Sequence, residues 1–292
     1  MRVHGSVLEL PEAGPADHLC WLHDDDAAFV DVVRGFLAGG LARGERLLCV
    51  GDRAVAALDD ADGELGDVAR LRADGVVETM TVAEAYAAAG GFAIDRQRAF
   101  YDAATRRAQA DGHRGLRVVA DLTEFATEPE LLPELLRWEH VADELMASGS
   151  GMSALCTYRR DLPPESLAQV LAVHPRGNGA EHLTPFRLLA GDGHLALRGS
   201  VDTFSAGRLA TLLAGTATDR AAVLDLTGLD FIDVAGCRAL AGWAVALESG
   251  GARPELRGAS PLVRRMWRIL GLDAVAPVRF SEPPGARAYD RY

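Results

Sequence analysis

The chain contains no lysine; every basic side chain is arginine or histidine. A Walker-type phosphate loop needs its lysine and a Schiff-base enzyme needs its amine, so both chemistries are excluded. Cysteine is scarce: Cys20, Cys49, Cys156 and Cys237 stand far apart with no C-x-x-C spacing. Scattered thiols, three of them inside apolar runs, predict buried reduced cysteines in a cytoplasmic protein, and a zinc site built from close pairs is missing. No apolar run approaches the ~20 residues that cross a bilayer. The opening residues MRVHGSVLELPEAGP place proline and acids where a signal peptide needs an apolar core, which predicts no export. Positive charge is in deficit, with 30 basic against 42 acidic residues and a net charge of −12. Such a balance argues against nucleic acid or an acidic membrane as a partner. No cofactor motif stands out, and neither a cofactor nor a metal is expected.

What is present is an alternation of apolar runs and amphipathic stretches. The 292 residues predict two domains at ~100–200 residues each. His18–His23 reads as a first strand, followed by the acids Asp24, Asp25 and Asp26 as cap and first turn of a helix. That helix keeps a 3.6-residue period through Phe29, Val32, Val33, Phe36, Leu37, Gly40 and Leu41 and stops near Gly44. Leu47–Gly51, Val76–Val82, Leu116–Glu124 and Met152–Tyr158 read as further strands. Between them come two short helical pieces over 54–73, a helix over 95–110 with Ala99, Phe100, Ala103 and Ala104 inward, and a long helix over 128–147. A helix after Pro163-Pro164 ends at His174-Pro175, and Arg176–Glu181 reads as a linker.

Strands without clean alternation, separated by helices, argue for βα units on a parallel sheet. Ligands of such sheets sit beyond the carboxyl ends of the strands. Collecting those ends gives His23, Asp24, Asp52 with Arg53, Asp121, Glu124, Tyr158 and Arg159 as a candidate ligand crevice. Glu139 joins them as a carboxylate on the apolar stripe of the long helix, where it must be paired or face a cavity. His140 beside it flanks the stripe and is expected to cap or pack.

The second half centres on AAVLDLTGLDFIDVAGCRAL, residues 221–240. An apolar strand passes through a tight connection at Thr227–Asp233 into a helix, with Asp233 placed to cap it and Gly236 opening the backbone to close approach. This segment resembles the core of the STAS domain, the fold of anti-sigma factor antagonists and of sulfate-transporter tails. His194–Asp202 resembles the family's opening strand and its G-x-x-D loop. Asp233-Val234-Ala235-Gly236 sits where the family has D-S-S-G or D-S-T-G, and Ser260–Leu272 resembles its last helix. The resemblance implies partner contacts through Asp202, Thr203, Asp233, Val234 and Gly236. It also exposes a departure: the phospho-acceptor serine is replaced by Val234, which has no hydroxyl. A phosphate there would add nearly two negative charges at a helix N-terminus. That lever is gone.

The first half resembles the MEDS sensory domain, named from methanogen and methylotroph regulators. The matching residues are His18-Leu19-Cys20-Trp21 with its acidic cluster, Phe36–Arg46, Arg137-Trp138-Glu139-His140, Ala154–Tyr158 and Val173-His174-Pro175. The resemblance implies a RecA-like α/β fold without a phosphate loop, and a sensor for small molecules. Leu22–Asp26 indeed contains neither glycine nor lysine. The resulting plan is a sensory domain over 1–178, a smaller STAS α/β domain over 182–282 and a disordered tail over 283–292. The leading expectation is a cytoplasmic regulator whose partner is an anti-sigma factor of the ATP-dependent kinase type, governed by a small molecule of unknown identity. The alternatives are a scaffold within a signalling assembly and a RecA-like nucleotide-binding enzyme.

Overall fold

Strands buried on both faces need helices on both sides, and the chain supplies them in alternation. The computed structural model describes residues 5–6, 10, 13–86, 93–191, 193–216 and 222–283. It divides into two units, Met1–Thr184 and Pro185–Tyr292. The first unit runs β1 (Gly5–Ser6), β2 (His18–His23), α1 (Asp26–Arg43), β3 (Arg46–Val50), α2 (Asp52–Asp60), α3 (Val68–Ala73), β4 (Val77–Met80), α4 (Val82–Tyr86) and α5 (Ile94–Ala110). It continues through β5 (Leu116–Asp121), α6 (Thr123–Thr127), α7 (Leu132–Ala147), β6 (Met152–Arg159), α8 (Pro164–Ala172) and β7 (Arg176–Gly177). Its seven strands lie in the order β1-β7-β2-β6-β5-β3-β4, all parallel. From neighbouring strands the chain leaves in opposite directions: β2 crosses to β3, and β6 crosses to β7. Right-handed crossovers therefore put α1 and α8 on opposite faces.

On the α1 face, Leu19, Phe29, Val33, Phe36, Leu47, Cys49, Leu58, Val119 and Leu155 form one buried core. Asp25 caps α1 by accepting from Ala28 N at 2.8 Å, as the acidic run predicts, and Gly44 ends it at φ +71°. Gly40 is required by close approach: a Cβ there would stand 2.7 Å from both Arg117 Cδ and Leu47 Cδ2.

Several boundaries differ from the sequence reading. The long helix starts at Leu132 rather than Glu128, because Pro133 in its first turn suits a helix start and the residues before it form a turn. In α5 the buried side holds Gln97, Tyr101, Ala104, Thr105 and Ala108, while Ala99 is exposed. Tyr101 sets that rotation by stacking on Trp138 at 5.3 Å. The expected linker is partly strand: Arg176–Gly177 pairs with β1 and β2, and the Asn178 side chain bonds both backbone groups of Leu22. Gly90-Gly91, which the sequence offers as a break before Asp95, lies outside the described residues.

The second unit comprises β8 (Phe186–Gly191), β9 (His194–Val201), α9 (Ala206–Thr216), β10 (Val223–Ile232), α10 (Val234–Ser249), β11 (Glu255–Arg257), α11 (Pro261–Ile269), α12 (Leu272–Val275) and β12 (Arg279–Ser281). Its sheet order is β12-β11-β10-β9-β8, parallel except for the β8–β9 hairpin. The stretch Thr227–Ile232, read as a connection, continues β10 through two register shifts against β9. These irregularities let the strand bend while it stays paired. Ser281 belongs to β12, and its hydroxyl donates to Glu255 Oε1 at 2.6 Å. The remaining tail, 284–292, lies outside the described residues. All four cysteines are buried and none forms a disulfide.

Candidate functional site

In the second unit, one end of the sheet presents a loop and a helix start side by side. Asp233 caps α10 by accepting from Gly236 N at 2.9 Å, as expected. Its second oxygen accepts from the Thr203 hydroxyl at 2.7 Å, which ties the loop to the helix. Asp202 folds that loop on itself, accepting from Phe204 N, Ser205 N and the Ser205 hydroxyl. These bonds hold both carboxyls below the usual range: Ser205 is the main cause for Asp202, and the Gly236 N–H for Asp233. Val234 is exposed at the first turn of α10. Phe204 is 93% exposed on the tied loop, and the sequence reading missed it. Its signal was an aromatic two residues after the aspartate of the G-x-x-D loop. Gly236 departs from expectation. It is buried, and a Cβ there would meet Ile232 Cγ1 at 2.5 Å and Val201 Cγ1 at 2.9 Å. It serves the internal packing of the helix start.

In the first unit the nine expected crevice residues separate into two groups. At the carboxyl ends of the strands, Arg53 reaches Asp26 and lies 3.7 Å from Asp121. Asp121 accepts from Thr123 Oγ1 at 2.7 Å, and that same oxygen accepts from Arg159 N at 3.2 Å. His23 is buried here against Phe29, and neither ring nitrogen has a hydrogen-bond partner among the described residues. Burial and the Arg53 charge lower its pKa. Asp24 is exposed and bonds Arg160, and Asp52 and Glu124 are exposed in the first turns of α2 and α6.

Tyr158 and Glu139 do not line that crevice. Tyr158 and Arg159 point to opposite sides of β6, as successive strand residues must. Tyr158 is fully buried on the α7 side and donates to Glu139 Oε1 at 2.8 Å. Around Glu139 gather His18 from β2, Cys156 from β6 and His174 from the end of α8. His18 Nε2 is 3.0 Å from Glu139 Oε2, and His18 Nδ1 is 3.4 Å from Asp143. Burial opposes charge on Glu139, but His174 and His18 outweigh it and hold its carboxyl well below the usual range. Burial also disfavours charge on His18, but Asp143 and Glu139 raise its pKa. Burial and then the Glu139 charge push up both the Cys156 thiol and the Tyr158 phenol. Chain spacing hides this set, because its members converge only once β2 and β6 are neighbours. His140 packs as expected, with Nδ1 3.0 Å from Leu136 O.

A cleft of about 610 Å³ opens on the other face, lined by Leu10, Trp21, Val32, Phe36, Asp31 and Arg117 among others. None of the nine expected crevice residues lines it. Its lining is mostly apolar, with Asp31 and Arg117 as its charged members.

No described helix is long and apolar enough to cross a membrane. No curated protein matches the chain. A family model described as MEDS, the MEthanogen/methylotroph, DcmR Sensory domain, matches residues 17–175, more than half of the chain. A second, described as Mlab, STAS domain, matches residues 186–278. The order is the one the sequence motifs imply, and the combination marks a signalling regulator of the anti-sigma factor antagonist type. The chain belongs to the MEDS family, with its sensory domain followed by a STAS domain.

Proposed function

We propose that the STAS domain docks on an anti-sigma factor of the ATP-dependent kinase type, and that a small molecule bound by the MEDS domain sets how strongly it docks. The observation that carries this reading is the tied pair of loop and helix start. Thr203 and Asp233 tie the Asp202–Phe204 loop to the start of α10, so exposed Phe204 and exposed Val234 sit on two segments held together by one hydrogen bond. Preorganisation lowers the entropy lost on binding. Val234 removes phosphorylation as the control at this position, which leaves ligand binding to bias the module. A ligand does so only by its differential affinity for two states.

The reading is of a regulator without catalysis that acts in the cytoplasm. The absence of lysine and a β2–α1 loop with neither glycine nor lysine support the lack of catalysis, and four buried cysteines without a disulfide support the cytoplasm.

The test is capture of the full chain on immobilised anti-sigma kinases, with and without a panel of small organic molecules. Capture should depend on ligand and fall at least tenfold for Phe204→Ala. Mass spectrometry after incubation with kinase and ATP should find no phosphate on residues 202–240. Equal capture under every condition, phosphate on this loop, or ATP turnover lost in Asp121→Asn would each overturn the proposal.

A further inference from the structure

His18, Glu139, Cys156 and His174 come from separate elements of the first unit and are all buried. Their ligand atoms all lie within 4.8 Å of one another. Three contacts meet at a single atom: Glu139 Oε2 is 3.0 Å from His18 Nε2, 3.4 Å from His174 Nε2 and 3.5 Å from Cys156 Sγ. Cys156 Sγ is also 3.5 Å from His18 Nε2. Donors held at ~2.0–2.3 Å around a tetrahedral ion stand ~3.3–3.7 Å apart. Three of the four spacings match the edges of such a shell, and the His18–Glu139 one is shorter at 3.0 Å. Three contacts on one carboxylate oxygen also exceed its two lone pairs.

The groups behind these donors point the same way. His174 Nδ1 lies 2.6 Å from Val170 O, and His18 Nδ1 lies 3.4 Å from Asp143 Oδ1. A metal-bound histidine is oriented in this manner, by a carbonyl or carboxylate on its other nitrogen. With Nδ1 donating to Val170, His174 Nε2 turns a lone pair toward a carboxylate oxygen. A cation between them turns that repulsion into two bonds. The Tyr158 hydroxyl holds the other Glu139 oxygen at 2.8 Å, which fixes the carboxylate.

We infer that His18, Glu139, Cys156 and His174 bind one zinc ion as a closed structural site. Two imidazoles, one thiolate and one carboxylate are a zinc donor set; calcium and magnesium want oxygens alone. Binding converts the Cys156 thiol to a thiolate and releases its proton to solvent. Four protein donors leave no position for water, so the ion ties β2, α7, β6 and the end of α8 together and does no chemistry of its own. The inference does not depend on what the STAS domain docks to.

The test uses the untagged full chain, stripped by chelator, reloaded with zinc and passed through gel filtration before elemental analysis. About one zinc per chain should remain, and exposed His182→Ala should keep it. Cys156→Ser and His174→Gln should each retain less than about a fifth of that. Tyr158→Phe, which removes only the hydroxyl behind the carboxylate, should bind about 10–100-fold more weakly. Should the ligand variants fail to fold, cobalt titrated into the wild-type chain decides: a thiolate-to-cobalt band with strong four-coordinate visible absorption supports the site. Less than about a tenth of an equivalent of zinc, unchanged stoichiometry in folded Cys156→Ser, or cobalt binding without the thiolate band would overturn it.

Discussion

Replacing Arg117 by methionine tests how the sensory unit holds its cleft. Arg117 is buried in β5, and its guanidinium divides three ways. Nε donates to Glu45 Oε2 at 2.5 Å, Nη1 to Phe36 O at 3.0 Å and Nη2 to Ala13 O at 2.8 Å. It also lies over the Phe36 ring at 4.6 Å and forms part of the cleft wall. Arg117→Met leaves the Glu45 carboxylate buried with only Arg43, at 3.3 Å, as a remaining cation. Removing one partner of a buried pair costs about 3–5 kcal/mol, and the half-exposed Arg43 brings the expectation toward about 3. Replacing Glu45 by methionine as well removes the stranded charge. The double variant then lacks only the donors to Phe36 O and Ala13 O, at about 1 kcal/mol each, and should lie within about 2 kcal/mol of the wild type. The assay is urea unfolding of the full chain, with hydrogen exchange read separately on β3 and β5 so that the first unit is scored alone. A double variant as unstable as Arg117→Met would refute the reasoning, because removing the stranded carboxylate would then recover nothing.

Three further outcomes follow from the geometry. Gly236→Ala should destabilise the second unit by about 1–3 kcal/mol, since its methyl must displace Ile232 and Val201, and an unchanged unfolding midpoint would contradict the packing role. Asp233→Ala should cost about 0.5–2 kcal/mol through the lost cap and should speed amide exchange across 202–205, because Thr203 loses its tether. The His23 pKa is lowered in the fold, so its contribution is complete above an unfolded value of ~6.5 and is lost as pH falls through that value toward the folded one. Melting curves at several pH values should therefore show less acid loss for His23→Phe than for the wild type, and parallel curves would refute the assignment.

How far the chain could be read in advance depended on the range of the interaction. The Asp25 and Asp233 caps, the period of α1 and the Gly44 stop are set within a turn or two of sequence, and the structure has each where the residues imply it. The face of α5 was misjudged because its aromatic partner, Trp138, lies on another helix. Arg176–Asn178 read as a linker because small and polar residues look alike in a loop and at a sheet edge that supplies their hydrogen bonds.

By itself the sequence determined the α/β alternation and the family of each half, since these rest on residue identity and local period. Only the tertiary structure decided which side of the sheet each functional group faces. It put Tyr158 under the sheet with Glu139 and left Arg159 at its rim. It also drew His18 and His174 to one carboxylate from opposite ends of the domain. Side-chain direction alternates with every strand residue, while the pairing of β2 with β6 is a contact between distant segments that no local pattern encodes.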